Sequence, residues 1–163
     1  MAVLLGIDAG TTSVKACAFG PDGHVFGIAR EEYRLQTPAP DRAELDPEVY
    51  WQACTRAVRG ALHEVDRRAV TAVAVSSQGE TTIAVDSDGR PLGPAIVWLD
   101  NRAIQEAEDL DAALGSRAYT VTGIPDVAPT WTAGKILWLR RHEPDLFGRA
   151  YKFLLVQDFL VHR

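Results

Sequence analysis

A short apolar run from Ala2 to Ile7 ends on Asp8-Ala9-Gly10-Thr11-Thr12-Ser13, with Lys15 just beyond. The run has the length and composition of a buried strand, and the glycine with its three hydroxyl neighbours forces a turn. Ser13 to Phe19 and His24 to Glu31 then read as strands joined by Gly20-Pro21-Asp22-Gly23, which is strong turn chemistry. The chain is therefore predicted to begin as three consecutive antiparallel strands.

The first of those turns is equipped to hold phosphate. Gly10 lets backbone approach a ligand closely, the N–H groups and hydroxyls of Thr11, Thr12 and Ser13 can donate to phosphate oxygens, and Lys15 supplies positive charge. Asp8 suits Mg²⁺, directly or through water, held against those phosphates. The plainer alternative is a polar β-turn with a buried aspartate bonded to it. Two other phosphate motifs are excluded: no glycine-rich loop ends in Gly-Lys-Ser/Thr, and no Gly-x-Gly-x-x-Gly opens a helix.

Further along, Arg34 to Leu45 contains Pro38 and Pro40 and reads as a surface connection. Asp46-Pro47-Glu48 announces a helix through a cap, a first-turn proline and an acid at the positive end of the dipole. Trp51, Cys54, Val58, Leu62 and Val65 give it an apolar stripe to lay on the sheet, and it is predicted to end near Asp66. Val70 to Val75 is a strand broken sharply by Ser76-Ser77-Gln78-Gly79-Glu80. Thr82 to Val85 and Ala95 to Trp98 read as a hairpin around Asp86-Ser87-Asp88-Gly89. Helices are predicted over Asp100–Leu114, with Ile104, Ala107, Leu110 and Leu114 inward, and over Thr132–Arg141. Tyr151 to Val156 reads as a strand, and Gln157 to Arg163 as the start of a helix without a stop signal, so a truncated domain is expected. Such a domain should leave apolar surface open to self-association.

Composition sets the class. With 163 residues, 47% hydrophobic and 24% charged, the chain suffices for one ordinary core. A formal net charge of −5 without a basic stripe argues against nucleic-acid partners and for a small solute. No apolar run approaches the roughly 20 residues of a membrane span, and the N-terminus lacks a signal-peptide core, so no membrane partner and a cytoplasmic location are expected. Cys17 and Cys54 lack metal-ligand spacing and read as buried thiols in a reducing compartment. His24, His63, His142 and His162 share no spacing and carry no assigned role.

Asp8-Ala9-Gly10-Thr11-Thr12-Ser13 after an apolar strand resembles the first phosphate motif of the FGGY family of carbohydrate kinases. Other stretches agree in order: Glu44-Leu45-Asp46-Pro47 with Trp51, Ser76-Ser77-Gln78-Gly79-Glu80-Thr81, and Ala95-Ile96-Val97-Trp98-Leu99-Asp100-Asn101-Arg102. The resemblance implies an α/β fold of the ribonuclease-H-like, actin-like ATPase kind: a mixed sheet, its first three strands antiparallel, with helices packed on it. It implies ATP and Mg as cofactors and a sugar or polyol as substrate. By it, Asp8 lies near the metal, Gly10, Thr11, Thr12, Ser13 and Lys15 face ATP phosphates, and Gln78, Gly79, Glu80, Trp98, Asp100 and Arg102 border the substrate.

Physically, a polyhydroxylated substrate needs charge-assisted hydrogen bonds of the kind Glu80 offers and a flat apolar wall such as Trp98. Asp100 and Arg102 read equally as a helix cap and a surface ion pair. Gly79 stands where glycerol kinases carry arginine, Thr130 where they carry a substrate-contacting tyrosine, and the Gln-Met-His of xylulokinases is absent, so the sugar is left open. The resemblance sets residues 1–163 as the N-terminal portion of the first kinase domain, with the catalytic base, the rest of that domain and the adenosine-binding domain beyond Arg163. Alone, the fragment is expected to be inactive. The alternative is a non-catalytic or regulatory nucleotide-binding relative.

Overall fold

The computed structural model describes residues 2–163. In chain order its elements are β1 (Val3–Ala9), β2 (Ser13–Phe19), β3 (Val25–Glu32), β4 (Glu44–Leu45), α1 (Pro47–Ala61), β5 (Val70–Ser77), β6 (Ile83–Val85), β7 (Ala95–Ile96), α2 (Ile104–Leu114), α3 (Ser116–Thr122), α4 (Thr132–His142), α5 (Pro144–Arg149), β8 (Lys152–Leu154) and α6 (Val156–His162). They form two compact units. The first draws on residues up to Leu35, on Asp46–Gln78 and on Val156–Arg163; the second comprises Gln36–Leu45 and Gly79–Leu155.

The first unit is built on a mixed four-stranded sheet in the order β3-β2-β1-β5. β1 pairs antiparallel with β2, β2 antiparallel with β3, and β1 parallel with β5. Alternation along β1 buries Val3, Leu5, Ile7 and Ala9, the period-2 signature of a strand with one covered face. Strand β1 runs through Asp8 to Ala9, two residues beyond the apolar run. Asp46 caps α1 by accepting from the Glu48 N–H at 2.9 Å, and Pro47 occupies the first turn.

The covering stripe of α1 differs from the predicted one. Tyr50, Ala53, Ala57 and Ala61 are fully buried, because small side chains let the helix sit close to the sheet. At Gly27 a Cβ would fall 2.2 Å from the Ala61 carbonyl oxygen, so the approach requires glycine there. Of the predicted stripe Cys54 and Leu62 are buried, whereas Trp51 and Val58 are only partly covered and line an apolar groove of about 580 Å³ with Leu62, Val73, Val75 and Leu160. Val73 in the outer strand β5 is 58% exposed. The helix stops at Ala61, and Asp66 caps a 3₁₀ turn over Arg67–Ala69. Cys54 is buried as expected, whereas Cys17 on β2 is only half-buried.

In the second unit β4 pairs antiparallel with β7, and β6 antiparallel with β8. The predicted hairpin is present only in part. Thr82 and Ile96 exchange backbone hydrogen bonds, and Asp86 holds its turn by accepting from the Asp88 and Arg90 N–H groups. Pro91 and Pro94 have no N–H to give a continuous ladder, so β6 and β7 find other partners. Helix α2 begins at Ile104, four residues later than predicted, and directs Ile104 and Leu114 outward at 51% and 41% exposure. Ala107 packs inward with Ala118 and Val127; Ile96, Ala103, Trp138 and Leu139 form a second cluster. Helices α3 and α5 were not anticipated. Among the described residues no helix is long and apolar enough to cross a membrane.

Candidate functional site

In the first unit the phosphate-type hairpin is the β1–β2 turn. Gly10 donates its N–H to the Ser13 carbonyl at 2.9 Å, which closes the turn and removes that N–H from any ligand. Ser13 is buried at 6% exposure, so little of it reaches the surface of the turn. Thr12 and Lys15 are exposed, and Thr11 is half-buried. Cross-strand register places Ser76, Asp8, Lys15 and Arg30 in one row over β5, β1, β2 and β3. All four are exposed, so Asp8 is not the buried turn aspartate of the plainer alternative. Ser76 Oγ donates to Asp8 Oδ1 at 3.0 Å. Beside the turn, Thr12, Arg30, Glu32, Tyr33 and Arg34 line a cavity of about 230 Å³. Arg30 and Arg34 are cations that the sequence reading did not assign.

The hairpin is braced from behind. The Tyr33 hydroxyl donates to the Gly10 carbonyl, and its ring meets Tyr50 edge-on at 5.3 Å. Gln78 Nε2 donates to the Tyr50 hydroxyl at 2.9 Å, and the Gln78 N–H reaches the Ala9 carbonyl. Burial raises both tyrosine pKa values, and Tyr50 and Asp8 add to the rise at Tyr33, so both rings stay neutral in the physiological range. Gln78 Oε1 is buried with no hydrogen-bond donor among the described residues, which costs about 1–3 kcal/mol. Gln78 is thus tied to the phosphate-type hairpin through β1.

In the second unit, Gly79-Glu80-Thr81 forms a three-residue turn closed by the Thr81 N–H on the Gly79 carbonyl at 2.8 Å. Glu80 sits at its centre with φ 59°; among the described residues no other non-glycine residue has positive φ. Such a backbone costs about 1–3 kcal/mol and persists only where neighbours impose it. Here the neighbours come from α4. Glu80 Oε2 accepts from the Thr132 N–H at 2.6 Å and from Thr132 Oγ1 at 2.9 Å, which caps a helix whose own N-cap, Trp131, has no capping side chain. Lys135 Nζ donates to the Glu80 and Thr130 carbonyls, each at 2.6 Å. Glu80 remains exposed, and its Oε1 makes no hydrogen bond among the described residues. The adjacent Thr81 is fully buried and accepts the Trp98 N–H through Oγ1 at 3.1 Å, which couples the Glu80 turn to a tryptophan 38% exposed.

Asp100 and Arg102 make an internal network. Asp100, fully buried, accepts from the Ala43 N–H at 2.7 Å and from the Arg102 N–H, Nε and Nη2; Arg102 Nη2 also reaches Glu44 Oε1 at 2.6 Å. The Arg102 guanidinium lies 5.0 Å from the Trp138 ring centroid. Asp100 is therefore neither the cap of α2, whose N-cap is Ala103, nor half of a surface ion pair. Arg102 stays protonated at any physiological pH because Asp100 and Glu44 outweigh the cost of its burial.

Residues 3–163 match the FGGY family of carbohydrate kinases, N-terminal domain. The chain belongs to that family. It is 31% identical over 163 residues to a xylulose kinase from Staphylococcus xylosus, covering all of this chain and 34% of the relative. Over 167 residues it is 35% identical to a glycerol kinase from Thermococcus gammatolerans, covering 98% of this chain and 34% of the relative. Among solved structures, a xyloylose kinase from Brucella ovis superposes with a TM-score of 0.88 at 36% identity, over 98% of this chain and 33% of that one. The chain thus spans about a third of the length of the curated relatives it matches.

Within this FGGY chain the residues singled out from sequence fall into two local groups. Asp8, Gly10, Thr11, Thr12, Ser13, Lys15 and Gln78 belong to the first unit; Gly79, Glu80, Trp98, Asp100 and Arg102 belong to the second. Among the described residues no three His, Cys, Asp or Glu side chains gather as a metal site. One exposed carboxylate suits Mg²⁺ nonetheless, since that ion keeps most of its water and shares phosphate oxygens. Lys135, Thr132, Tyr33 and Tyr50 went unassigned because each acts on a partner distant in sequence. A hydroxyl-lysine pair at the head of a predicted helix was the one available signal, for Thr132 and Lys135.

Proposed function

We propose that the protein carrying this chain phosphorylates a hydroxyl of a sugar or polyol at the expense of ATP, and that this chain supplies the N-terminal portion of its first domain. The observation that carries the reading is Glu80: an exposed carboxylate on a strained turn, one oxygen fixed by Thr132 and the other accepting no hydrogen bond among the described residues, linked through Thr81 to the partly exposed Trp98. That pairing of a fixed acceptor with a flat apolar surface suits a molecule with hydroxyls on one side and C–H groups on the other. Family membership supports the same conclusion.

In this reading Lys15 and Thr12 hold phosphate oxygens, with Arg30 adding positive charge along the same row. Asp8 would hold Mg²⁺, whose chemistry when bound with ATP is to neutralise charge on the transferring phosphoryl group. Gly10 and Ser13 shape the turn. Glu80 accepts hydrogen bonds from substrate hydroxyls, Trp98 packs on the C–H face, and Asp100 and Arg102 hold the Trp98 segment in place without touching substrate. At Gly79 a Cβ would meet nothing within 4 Å, which leaves open space beside Glu80. The proton-accepting base is proposed to lie outside these residues.

The test is ATP consumption by the complete protein against a panel of pentuloses, hexuloses and alditols. Turnover with at least one is expected. Failure with all of them overturns the proposal and favours a non-catalytic relative.

A further inference from the structure

Lys135 is a fully buried cation that the proposed chemistry leaves without a task. It stands in the first turn of α4, and among the described residues its ammonium meets no carboxylate within ion-pair distance; two carbonyl oxygens, those of Glu80 and Thr130, accept from it instead. A structural donor to a carbonyl does not require a charge, and burying one is costly, so the choice of lysine calls for a reason. Glu80 supplies one. Its positive φ is a conformation that glutamate avoids, and its carbonyl is the only Glu80 backbone atom to which a side chain bonds among the described residues.

We infer that Lys135 is a positioning residue for substrate: it grips the Glu80 carbonyl, holds the turn in its left-handed form, and thereby aims the Glu80 carboxylate. This rests on the reading of Glu80 as a substrate contact. The grip and the cap act on opposite ends of one residue. Thr132 fixes a carboxylate oxygen and Lys135 the backbone, both from the same helix turn, so rotation of the Glu80 side chain and relaxation of its backbone are both opposed. The other charged groups acting on the ammonium are the Asp100 and Glu80 carboxylates and the Arg102 guanidinium.

The experiment uses the complete protein with Lys135→Met, Glu80→Gln and the double variant. Lys135→Met should raise the sugar KM about ten- to a hundredfold while the ATP KM moves less than about twofold, and this effect should largely vanish in the Glu80→Gln background. An unchanged sugar KM, an equal rise in both KM values, or full additivity with Glu80→Gln overturns the inference. If Lys135→Met does not fold, Lys135→Gln, which is shorter and uncharged, takes its place under the same criteria. A readout independent of turnover is amide exchange at Thr81: loss of the grip should accelerate it at least about tenfold beyond any change in global stability. Unchanged exchange overturns the inference even in an inactive protein, whereas failure of every sugar with accelerated exchange overturns only the proposed function.

Discussion

Glu80 caps helix α4 from outside it, its Oε2 accepting both the backbone N–H and the Oγ1 hydroxyl of Thr132. The same carboxylate is thus a structural group through one oxygen and a candidate ligand through the other. Glu80→Ala should lower stability by about 1 kcal/mol through the lost cap. The sugar KM should rise far more than the ATP KM. Thr132→Ala separates the roles, since it removes one cap bond and keeps the acceptor: melting should fall as sugar affinity changes little. An unchanged sugar KM in Glu80→Ala would count against the substrate role.

Asp100 should behave as a stability residue. Replacing it with alanine leaves the Ala43 N–H without its acceptor and the buried Arg102 guanidinium with only Glu44 to balance it, a loss of about 3–5 kcal/mol. Thermal or urea unfolding of Asp100→Ala reads this directly. A melting temperature within a degree of the parent would show that the network is dispensable.

Asp8 and Lys15 are register partners on neighbouring strands, and their replacement should have different kinetic signatures. Lys15→Met should raise the ATP KM and spare the sugar KM. Asp8→Asn should lower kcat by about a hundredfold or more if, as proposed, its carboxylate holds the Mg²⁺ that acts on the transition state. Both residues are exposed, so melting should barely move. Steady-state kinetics with one substrate saturating distinguishes the two; an Asp8→Asn enzyme with parental kcat would remove Asp8 from the chemistry.

The Lys135 ammonium has a pH signature of its own. Burial pushes its pKa down from 10.5 to about 8, against a smaller upward pull from Asp100 and Glu80. Below about pH 8 folded and unfolded chains both hold the proton, and stability is level in pH on this account. Between about pH 8 and 10.5 the folded chain has released a proton that the unfolded chain retains, so the parent gains stability relative to Lys135→Met as pH rises. Paired melts at pH 7 and pH 10 measure the change, and a constant difference would refute the depressed pKa.

The first three strands were readable because β1 alternates and Gly20-Pro21-Asp22-Gly23 leaves little choice of turn. Asp46-Pro47 likewise announced α1. The face of α1 was misread because hydrophobicity ranks Trp51 and Val58 above Ala53 and Ala57, whereas close packing over Gly27 selects the small side chains. Residues 82–98 misled because turn chemistry at Asp86–Gly89 is local, while strand partnership is set by where Pro91 and Pro94 withhold donors. Glu80 was legible as an acid in a loop. Its left-handed backbone was not, since glutamate has no preference for that region and the conformation is imposed by Thr132 and Lys135, some fifty residues away.

The first unit is assembled from three separated stretches, the last of which is α6, whose Phe159 is completely enclosed. A chain emerging from the ribosome offers the β1–β2–β3 meander and α1 early, but helix α6 arrives only after all of Gly79–Leu155 has been synthesised. The unit that the meander opens is therefore closed only after the second unit has been made. A nascent chain halted before Val156 carries all four strands of that sheet with helix α6 missing, and that interval is when a chaperone would have most to protect.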